Sequence, residues 1–198
     1  MIHIFINNNS SETLILLHGT GADEYDLLPL ANLINSKANV LSFRGDVIEN
    51  GINRFFKRFS IGNYDLDSYQ KETKKLVNEI NILKEKYQFD LTKTTVIGFS
   101  NGANIALGIL KYYPETLNNY ILFSPDNIDI KTSFKDLTNK NVYLSTSVND
   151  PYSNYQNLLL MKTEMTNKNA NVTYKLINGH TIPKELIIDS KLWLERLS

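Results

Sequence analysis

The stretch Gly98-Phe99-Ser100-Asn101-Gly102 lies between two segments of very different composition, and it determines how the rest of the chain is interpreted. Before it, residues 94–97 are all β-branched and have the composition of a buried strand. After it, residues 103–110 are mostly small and apolar, as in a helix that packs close against a sheet. A serine with glycines two positions away on each side, between a strand and a helix, is typical of a nucleophile elbow. Ser100 is therefore the first candidate for a reactive residue.

The amino-acid composition is that of an ordinary globular protein, and it excludes several classes of function. Of 198 residues, 42% are hydrophobic, and 21 basic and 21 acidic residues cancel. Without an excess of positive charge, no overall field attracts nucleic acid or an anionic membrane. The chain contains no cysteine, which excludes disulfides, thiolate metal sites and a cysteine nucleophile. A chain of this length is expected to form one domain, residues 1–198.

Neither a targeting segment nor a membrane span is predicted from the sequence. Residues 1–6 lack the basic flank and the long apolar run of a signal peptide. No apolar run approaches the roughly 20 residues needed to span a bilayer. We therefore expect a cytoplasmic protein.

Predicted strands and helices alternate along nearly the whole chain. Strands are predicted at residues 2–6, 13–17, 39–43, 94–97, 119–123, 142–145 and 172–177. Helices are predicted from about Asp26 to Ile34, from Ser68 to Tyr87, after the elbow to Tyr112, from Asn154 to Thr166 and from Pro183 to Leu197. This alternation predicts a mostly parallel sheet with helices on both faces.

Three side chains with complementary chemistry follow predicted strands directly. They are Ser100, Asp150 and His180. Ligands of such sheets bind beyond the carboxyl ends of the strands, so all three are expected at the same edge. A serine hydroxyl needs a neighbouring base to remove its proton during attack, and a histidine with an orienting carboxylate meets that need.

The choice of base and acid follows from chain order. Among the three histidines, His3 lies in the first strand and is expected to be structural, whereas His18 stands near the presumed site. His180 follows the last strand and fits the order Ser, Asp, His that this kind of elbow uses. Asp150 closes the strand before it and is the preferred acid, with Asp126 as the alternative.

Two backbone N–H groups are needed to stabilise the oxyanion that forms during acyl transfer. Asn101 supplies one because it follows the nucleophile. The glycine-bearing loop His18-Gly19-Thr20-Gly21 supplies the other through the Thr20 N–H group. The same loop lacks the lysine spacing of a phosphate-binding loop, and no histidine–carboxylate cluster indicates a metal. We therefore expect no metal and no cofactor.

The chain resembles the phospholipase/carboxylesterase family of α/β-hydrolases. The resemblance covers nearly the whole chain and depends on residues 17–23, residues 98–104, Asn149-Asp150-Pro151 and Gly179-His180. The motifs around residues 44–58 are similar to the bacterial branch associated with hydroquinone-stress operons. The family implies an α/β-hydrolase fold with a minimal cap domain or none, Ser100, Asp150 and His180 as catalytic residues, and Thr20 and Asn101 as oxyanion donors. Asn101 is a departure, because many members carry Gln after the nucleophile.

The long segment from Arg44 to about Asp67 is expected to lie beside the site and to bind substrate, because long loops in compact domains are usually functional or disordered. Its aromatic residues argue against disorder. The substrate-binding candidates are His18, Arg44, Arg54, Phe55, Phe56 and Phe59. The alternative is that the phenylalanines belong to the core and the arginines to the solvated surface.

These observations predict a serine hydrolase that cleaves small carboxylic esters, thioesters or aryl esters through an acyl-enzyme. A thioesterase that deacylates proteins and a non-catalytic binder of a small aromatic ligand are the alternatives. The expected partner is a small-molecule ester, with no nucleic acid. A site with little or no cap can leave apolar surface exposed, which is compatible with a homodimer, but no residue pattern requires one.

Overall fold

The computed structural model describes residues 1–197 and is organised around a central sheet of seven strands. In chain order the strands are β1 (His3–Ile6), β2 (Thr13–Leu17), β3 (Asn39–Phe43), β4 (Val47–Glu49), β5 (Ile52–Arg54), β6 (Arg58–Ser60), β7 (Asn63–Tyr64), β8 (Thr94–Phe99), β9 (Asn119–Phe123), β10 (Asn141–Ser147) and β11 (Asn171–Ile177). The central sheet has the order β1-β3-β2-β8-β9-β10-β11. In it β1 is antiparallel to β3 and the other neighbours are parallel, so the predicted mostly parallel sheet is confirmed.

Helices cover both faces of this sheet, as predicted. They are α1 (Leu28–Asn35), α2 (Leu66–Tyr87), α3 (Asn101–Tyr112), α4 (Tyr155–Asn167) and α5 (Lys184–Glu195). The helices α1 and α5 pack together over one buried cluster, and α2, α3 and α4 contribute to the cluster on the other face. Within residues 1–197, none of the helices is long and apolar enough to cross a membrane.

The apolar run of β2 shows how the sequence produces this two-faced core. Successive side chains of a strand point to opposite faces of its sheet. Accordingly, Ile15 and Leu17 belong to the cluster beneath α2 and α3, whereas Leu14 and Leu16 belong to the cluster beneath α1 and α5. A strand buried on both faces therefore needs an unbroken apolar run rather than an alternating one.

The segment between β3 and α2 consists of two small hairpins, β4–β5 and β6–β7, rather than one irregular loop. Asn50 and Gly51 connect β4 to β5 with φ angles of 53° and 78°. Positive φ at both central residues is the requirement of a tight two-residue hairpin turn, and Asn-Gly meets it at little steric cost. The Asn-Gly pair is thus a hairpin signal inside the segment that was expected to be one long loop.

Helix α1 begins at Leu28, within one residue of Leu27, where a helix capped by Asp26 would start. Asp26 does not cap it; the position before the helix is Leu27, without a side-chain cap. Residues 23–26 instead form a turn, in which the Asp23 carboxylate accepts the Tyr25 N–H and the Asp23 carbonyl accepts the Asp26 N–H. Proline is well suited to the first helical turn, and Pro29 lies there.

The elbow depends on a very close approach between α3 and the end of β2. A Cβ atom added to Gly102 would lie 1.9 Å from the Leu17 carbonyl oxygen and 2.6 Å from the His18 carbonyl oxygen. Both atoms are backbone, so neither can be moved by a rotamer change. Only glycine therefore fits at this position.

Gly102→Ala is predicted to lower the free energy of unfolding by about 3 kcal/mol because the methyl group overlaps backbone atoms. The direction of this change tests the steric argument, because Gly→Ala inside a helix otherwise raises the free energy of unfolding by about 1 kcal/mol. Gly62→Ala is the matched control: no atom lies within 4 Å of its added Cβ, and only its φ of 75° is unfavourable. Urea denaturation should give the control a cost of about 1–2 kcal/mol, and an equal or smaller loss for Gly102→Ala would contradict the steric argument.

Candidate active site

Ser100 occupies the turn between β8 and α3 in a strained backbone conformation. Its φ and ψ angles are 52° and −115°, a combination that non-glycine residues rarely adopt. The turn is held by hydrogen bonds on both sides: the Ser100 N–H donates to the Phe123 carbonyl at 2.9 Å, and the Ser100 carbonyl accepts the Asn104 N–H at 2.9 Å. The strained turn raises the Ser100 hydroxyl above the sheet edge, as expected for an elbow.

His180 and Asp150 meet because the strands before them are paired in register. Ser147, the last residue of β10, lies beside Ile177, the last residue of β11. His180 Nδ1 is 2.7 Å from Asp150 Oδ2, and the Asp150 side chain is fully buried. With Nδ1–H donating to this carboxylate, the other ring nitrogen, Nε2, is left as the acceptor.

The Ser147 hydroxyl holds the acid and base loops together. Its Oγ accepts the Asn149 N–H at 3.0 Å and the Gly179 N–H at 2.9 Å. These two residues immediately precede Asp150 and His180, respectively. One buried hydroxyl therefore fixes the backbone on both sides of the His180–Asp150 hydrogen bond.

Asp126, the alternative acid, has different partners. Its Oδ1 accepts the backbone N–H groups of Asn127 at 2.9 Å and Asn154 at 3.4 Å. Burial raises the pKa of Asp126, and a hydrogen bond from Tyr64 opposes that shift. The His180 ring bonds to Asp150 instead, so the geometry favours Asp150 over Asp126.

The His180 ring is packed between two aromatic side chains. The ring centroid of Phe99 lies 5.1 Å from that of His180, and the ring of Tyr152 lies 4.8 Å away in an edge-to-face arrangement. Such contacts restrict the rotation of the imidazole. The hydrogen bond to Asp150 and these two rings together fix the plane of the base.

Ser100 and His180 border the same cavity, which has a volume of about 530 Å³. It is lined by Gly19, Thr20, Ala22, Asp26, Arg54, Arg58, Ile61, Tyr64, Phe99, Ser100, Asn101, Asn104, Tyr152 and His180. The hydrogen bonds within residues 1–197 do not include one between Ser100 Oγ and His180 Nε2. Such bonds are often long in unliganded active sites and shorten when substrate binds.

The two expected oxyanion donors also border this cavity. Asn101 is the first residue of α3, where N–H groups have no acceptor within the helix. Thr20 follows Gly19, whose carbonyl oxygen lies 2.6 Å from His18 Nδ1. The Gly19 C=O and the Thr20 N–H belong to one planar trans peptide and point in opposite directions. The hydrogen bond from His18 therefore also sets the direction of the Thr20 N–H.

His18 is a buried hydrogen-bonding residue behind the cavity, not part of its lining. Its Nε2 accepts the Gly45 N–H at 3.0 Å, so Nδ1 carries the proton that is donated to the Gly19 carbonyl. Burial lowers the pKa of His18, since a charged ring would be desolvated. His18 was a substrate-binding candidate in the sequence, and the structure places it behind the oxyanion loop.

The Asn101 side chain connects the elbow to the hairpin insertion. Its Oδ1 accepts the Phe55 N–H at 2.7 Å, which orients the amide. The buried Asn101 Nδ2 has no hydrogen-bond partner within the described part of the chain. The side chain of Asn101, where the family resemblance leads us to expect Gln, thus hydrogen-bonds to the insertion. The expected oxyanion donor is the backbone N–H of Asn101, which does not depend on the side chain.

The insertion contributes fewer cavity residues than the sequence predicts. Arg54 borders the cavity, but Arg44 forms an ion pair with Glu24 at 2.5 Å outside it. Phe55 and Phe56 are fully buried in the core, and Phe59 is 72% exposed and not in the cavity lining. The three phenylalanines of the insertion therefore anchor it or face solvent.

Nine cavity-lining residues were not candidates in the sequence analysis. Among them are Arg58, Tyr64, Asn104 and Tyr152, which carry polar groups. Asn104 lies one turn into α3 and Tyr152 lies in the loop after β10, so the rule that sites form beyond strand ends could have found both. Arg58 and Tyr64 depend on the β6–β7 hairpin, which the sequence interpretation did not predict. Within residues 1–197 no group of three His, Asp or Glu side chains could hold a metal ion.

Comparison with known proteins identifies the class to which this fold and site belong. The chain belongs to the phospholipase/carboxylesterase family, whose model matches residues 5–197. The family predicted from the sequence is therefore confirmed, and so is the α/β-hydrolase fold.

Among individual proteins, the chain is similar to the putative hydrolase MhqD of Bacillus subtilis, with 42% identity over 125 residues. That alignment spans 63% of this chain and 62% of the relative's length. The carboxylesterase of Bacillus cereus has a TM-score of 0.95 and 36% identity, covering 99% of this chain and 94% of that one. A structure of YahD with malic acid has a TM-score of 0.94 and 30% identity, covering 100% and 99%.

His18 is predicted to make folding stability pH-dependent. Because burial lowers its pKa in the folded state, the unfolded chain binds a proton first as the pH falls below the ordinary value of about 6.5. The folded state then loses stability, by up to about 1.4 kcal/mol at pH 5.5. Urea unfolding at pH 7.5 and 5.5 should show a smaller decrease for His18→Gln, which cannot protonate, than for wild type. Equal decreases in the two proteins would contradict this role.

Proposed function

We propose that this protein is a serine hydrolase that cleaves small carboxylic esters, including thioesters or aryl esters, through an acyl-enzyme. In this proposal Ser100 is the nucleophile, His180 the general base and acid, and Asp150 the residue that orients His180. The observation that carries it is the 2.7 Å contact between His180 Nδ1 and Asp150 Oδ2 at the wall of the cavity that Ser100 also lines.

In the first half of the reaction, the Ser100 oxygen attacks the ester carbonyl while His180 Nε2 accepts the hydroxyl proton. The new C–O bond displaces the carbonyl π electrons onto oxygen, which becomes the oxyanion. When this intermediate collapses, the bond to the alcohol breaks and the leaving oxygen receives the proton from His180. The acyl group remains on Ser100.

In the second half, water attacks the acyl-enzyme by the same route. His180 accepts a proton from the water, the tetrahedral intermediate forms again, and the Ser100 oxygen leaves with the proton that His180 returns. Asp150 stabilises the imidazolium in both halves through its hydrogen bond to Nδ1. These steps use only the side chains named and water.

The oxyanion is proposed to bind the N–H groups of Thr20 and Asn101. Preorganised donors of this kind contribute about 2.7–4 kcal/mol each to lowering a barrier. The hydrogen bond between His18 and the Gly19 carbonyl, and the position of Asn101 at the start of α3, support the required preorganisation.

An alkyl p-nitrophenyl phosphonate is predicted to label Ser100 with one equivalent, because phosphonylation traps the activated hydroxyl. Intact-protein mass spectrometry and peptide mapping measure the label. Ser100→Ala should take up none. Ser124→Ala is the matched control, since Ser124 also follows a strand at this sheet edge with a positive φ of 48°, and it should be labelled like wild type. An unlabelled wild type that also leaves p-nitrophenyl acetate intact would support the non-catalytic binder instead.

Asp150→Asn is predicted to lower kcat roughly 10³–10⁴-fold, because an amide partner stabilises the wrong tautomer and not the imidazolium. Asp126→Asn is the matched control, with the same change in a half-buried carboxyl at the same sheet edge, and should lose less than tenfold. Both variants are assayed on p-nitrophenyl acetate. A larger loss in Asp126→Asn would exchange the roles assigned to the two residues.

A further inference from the structure

We propose that the end of the cavity bordered by Arg54 and Arg58 is a carboxylate subsite, and that the preferred substrates are small esters bearing a second, ionised carboxyl group. The inference rests on the proposed esterase function and names the substrate class for the same site. It depends on where two guanidinium groups lie and on how their charges are compensated.

Arg54 is a buried charge in the cavity wall. Its side chain is only 2% exposed, yet it borders the cavity. Its Nε donates to the Phe56 carbonyl at 3.2 Å, and one terminal nitrogen donates to Thr20 Oγ1 at 2.9 Å. A buried guanidinium is costly unless it is paired and hydrogen-bonded. The guanidinium of Arg54 therefore needs a carboxylate that compensates its charge.

The protein supplies one carboxylate for two arginines. Glu49 Oε2 lies 3.3 Å from Arg54 Nε and 3.4 Å from Arg58 Nε, so both ion pairs use the same oxygen. Burial lowers the pKa of Arg54, and the charge of Arg58 lowers it further, whereas Glu49 raises it. This end of the cavity thus has an excess of one positive charge, which an added carboxylate would compensate.

The remaining charged groups of the cavity do not supply that second carboxylate. Asp26 also lines the cavity, but the ion pairs that Arg54 and Arg58 form within residues 1–197 are both with Glu49. Tyr64 also lines this cavity, and burial and the nearby Asp126 carboxylate raise the pKa of its hydroxyl, so it stays neutral. Within residues 1–197 the second terminal nitrogen of Arg54 has no hydrogen-bond acceptor. A planar guanidinium with free N–H groups matches the geometry of a carboxylate.

The same residues set the distance between the subsite and the reacting carbonyl. Arg54 holds the side chain of Thr20, whose N–H is the proposed oxyanion donor. One short molecule can therefore place its carboxylate against the Arg54 guanidinium and its ester carbonyl oxygen against the Thr20 N–H. Monoesters of four-carbon diacids, or short esters with a carboxylate on the alcohol side, have about this length.

Two pairs of esters that differ only by a carboxylate in place of a terminal methyl group test the subsite. Monomethyl succinate is compared with methyl butyrate, and 3-acetoxypropanoate with propyl acetate, by kcat/KM from pH-stat titration. Wild type should prefer the anionic ester at least about tenfold in one pair, as expected for a charged hydrogen bond. Arg58→Gln should lower that preference about tenfold, and Arg58→Lys should lower it less. Lys57→Gln is the control, since Lys57 carries the same charge next to Arg58 but does not line the cavity, and it should keep the preference.

A binding measurement separates this proposal from the esterase proposal. Succinate is titrated into Ser100→Ala protein by NMR, alone and combined with Arg58→Gln or Lys57→Gln. Binding that weakens about tenfold with Arg58→Gln and not with Lys57→Gln supports the subsite, even if all four esters prove inert and the proposed function fails. Two results would overturn the subsite: no preference in either ester pair together with no succinate binding, or equal effects of Arg58→Gln and Lys57→Gln. If the neutral esters were still hydrolysed, the proposed esterase function would remain intact.

Discussion

The contact between Gly102 and the Leu17 carbonyl is the constraint on which the site depends. It allows the first turn of α3 to touch the end of β2, and so brings the elbow against the loop that begins at His18. One oxyanion donor is proposed on each side of that contact, at Asn101 and at Thr20. If the helix lay a methyl group farther away, the distance between the two N–H groups would increase. The packing of the backbone thus determines where the two proposed oxyanion donors can lie.

The hairpin insertion supports this arrangement more than it covers it. Its backbone donates to His18 from Gly45 and accepts the Gly21 N–H at Asn53. Its Phe55 N–H reaches the Asn101 side chain on the elbow. The insertion is therefore hydrogen-bonded to both sides of the proposed oxyanion hole. Arg54 combines the two functions, because it holds Thr20 and also borders the cavity.

Much of the architecture could be predicted because it depends on local patterns. Unbroken apolar runs marked the buried strands, and the glycines around Ser100 marked the elbow. Once the sheet is parallel, its topology places Ser100 and His180 at one edge without further information. The loops that follow parallel strands all lie at the same edge of the sheet, so predicting the strands also predicts which loops are neighbours.

The insertion could not be predicted in the same way, because tertiary packing decides which of its side chains are buried and which are exposed. In the sequence, Phe55, Phe56 and Phe59 are equivalent candidates for substrate binding. In the structure, Phe55 and Phe56 are fully buried and Phe59 is 72% exposed. Only Phe59 lies in a hairpin strand, where a shift of one residue in register would reverse the direction of its side chain. Phe55 and Phe56 lie in the connection between β5 and β6, where no strand periodicity indicates which side chains are buried. The cap of α1 differed for another reason: residues 23–26 form a turn held by Asp23, so that Leu27 and not Asp26 precedes the helix. Asn50-Gly51, by contrast, was a readable hairpin signal.

The Ser147 hydroxyl has a mechanical consequence for the base and the acid. Because one oxygen accepts N–H groups from both loops, a thermal displacement of either loop carries the other with it. The imidazole and its carboxylate should therefore fluctuate as a rigid pair relative to the elbow. Motion would change the separation between His180 and Ser100 while preserving the hydrogen bond to Asp150, so that the same ring nitrogen, Nε2, faces Ser100 at whatever distance the two residues approach.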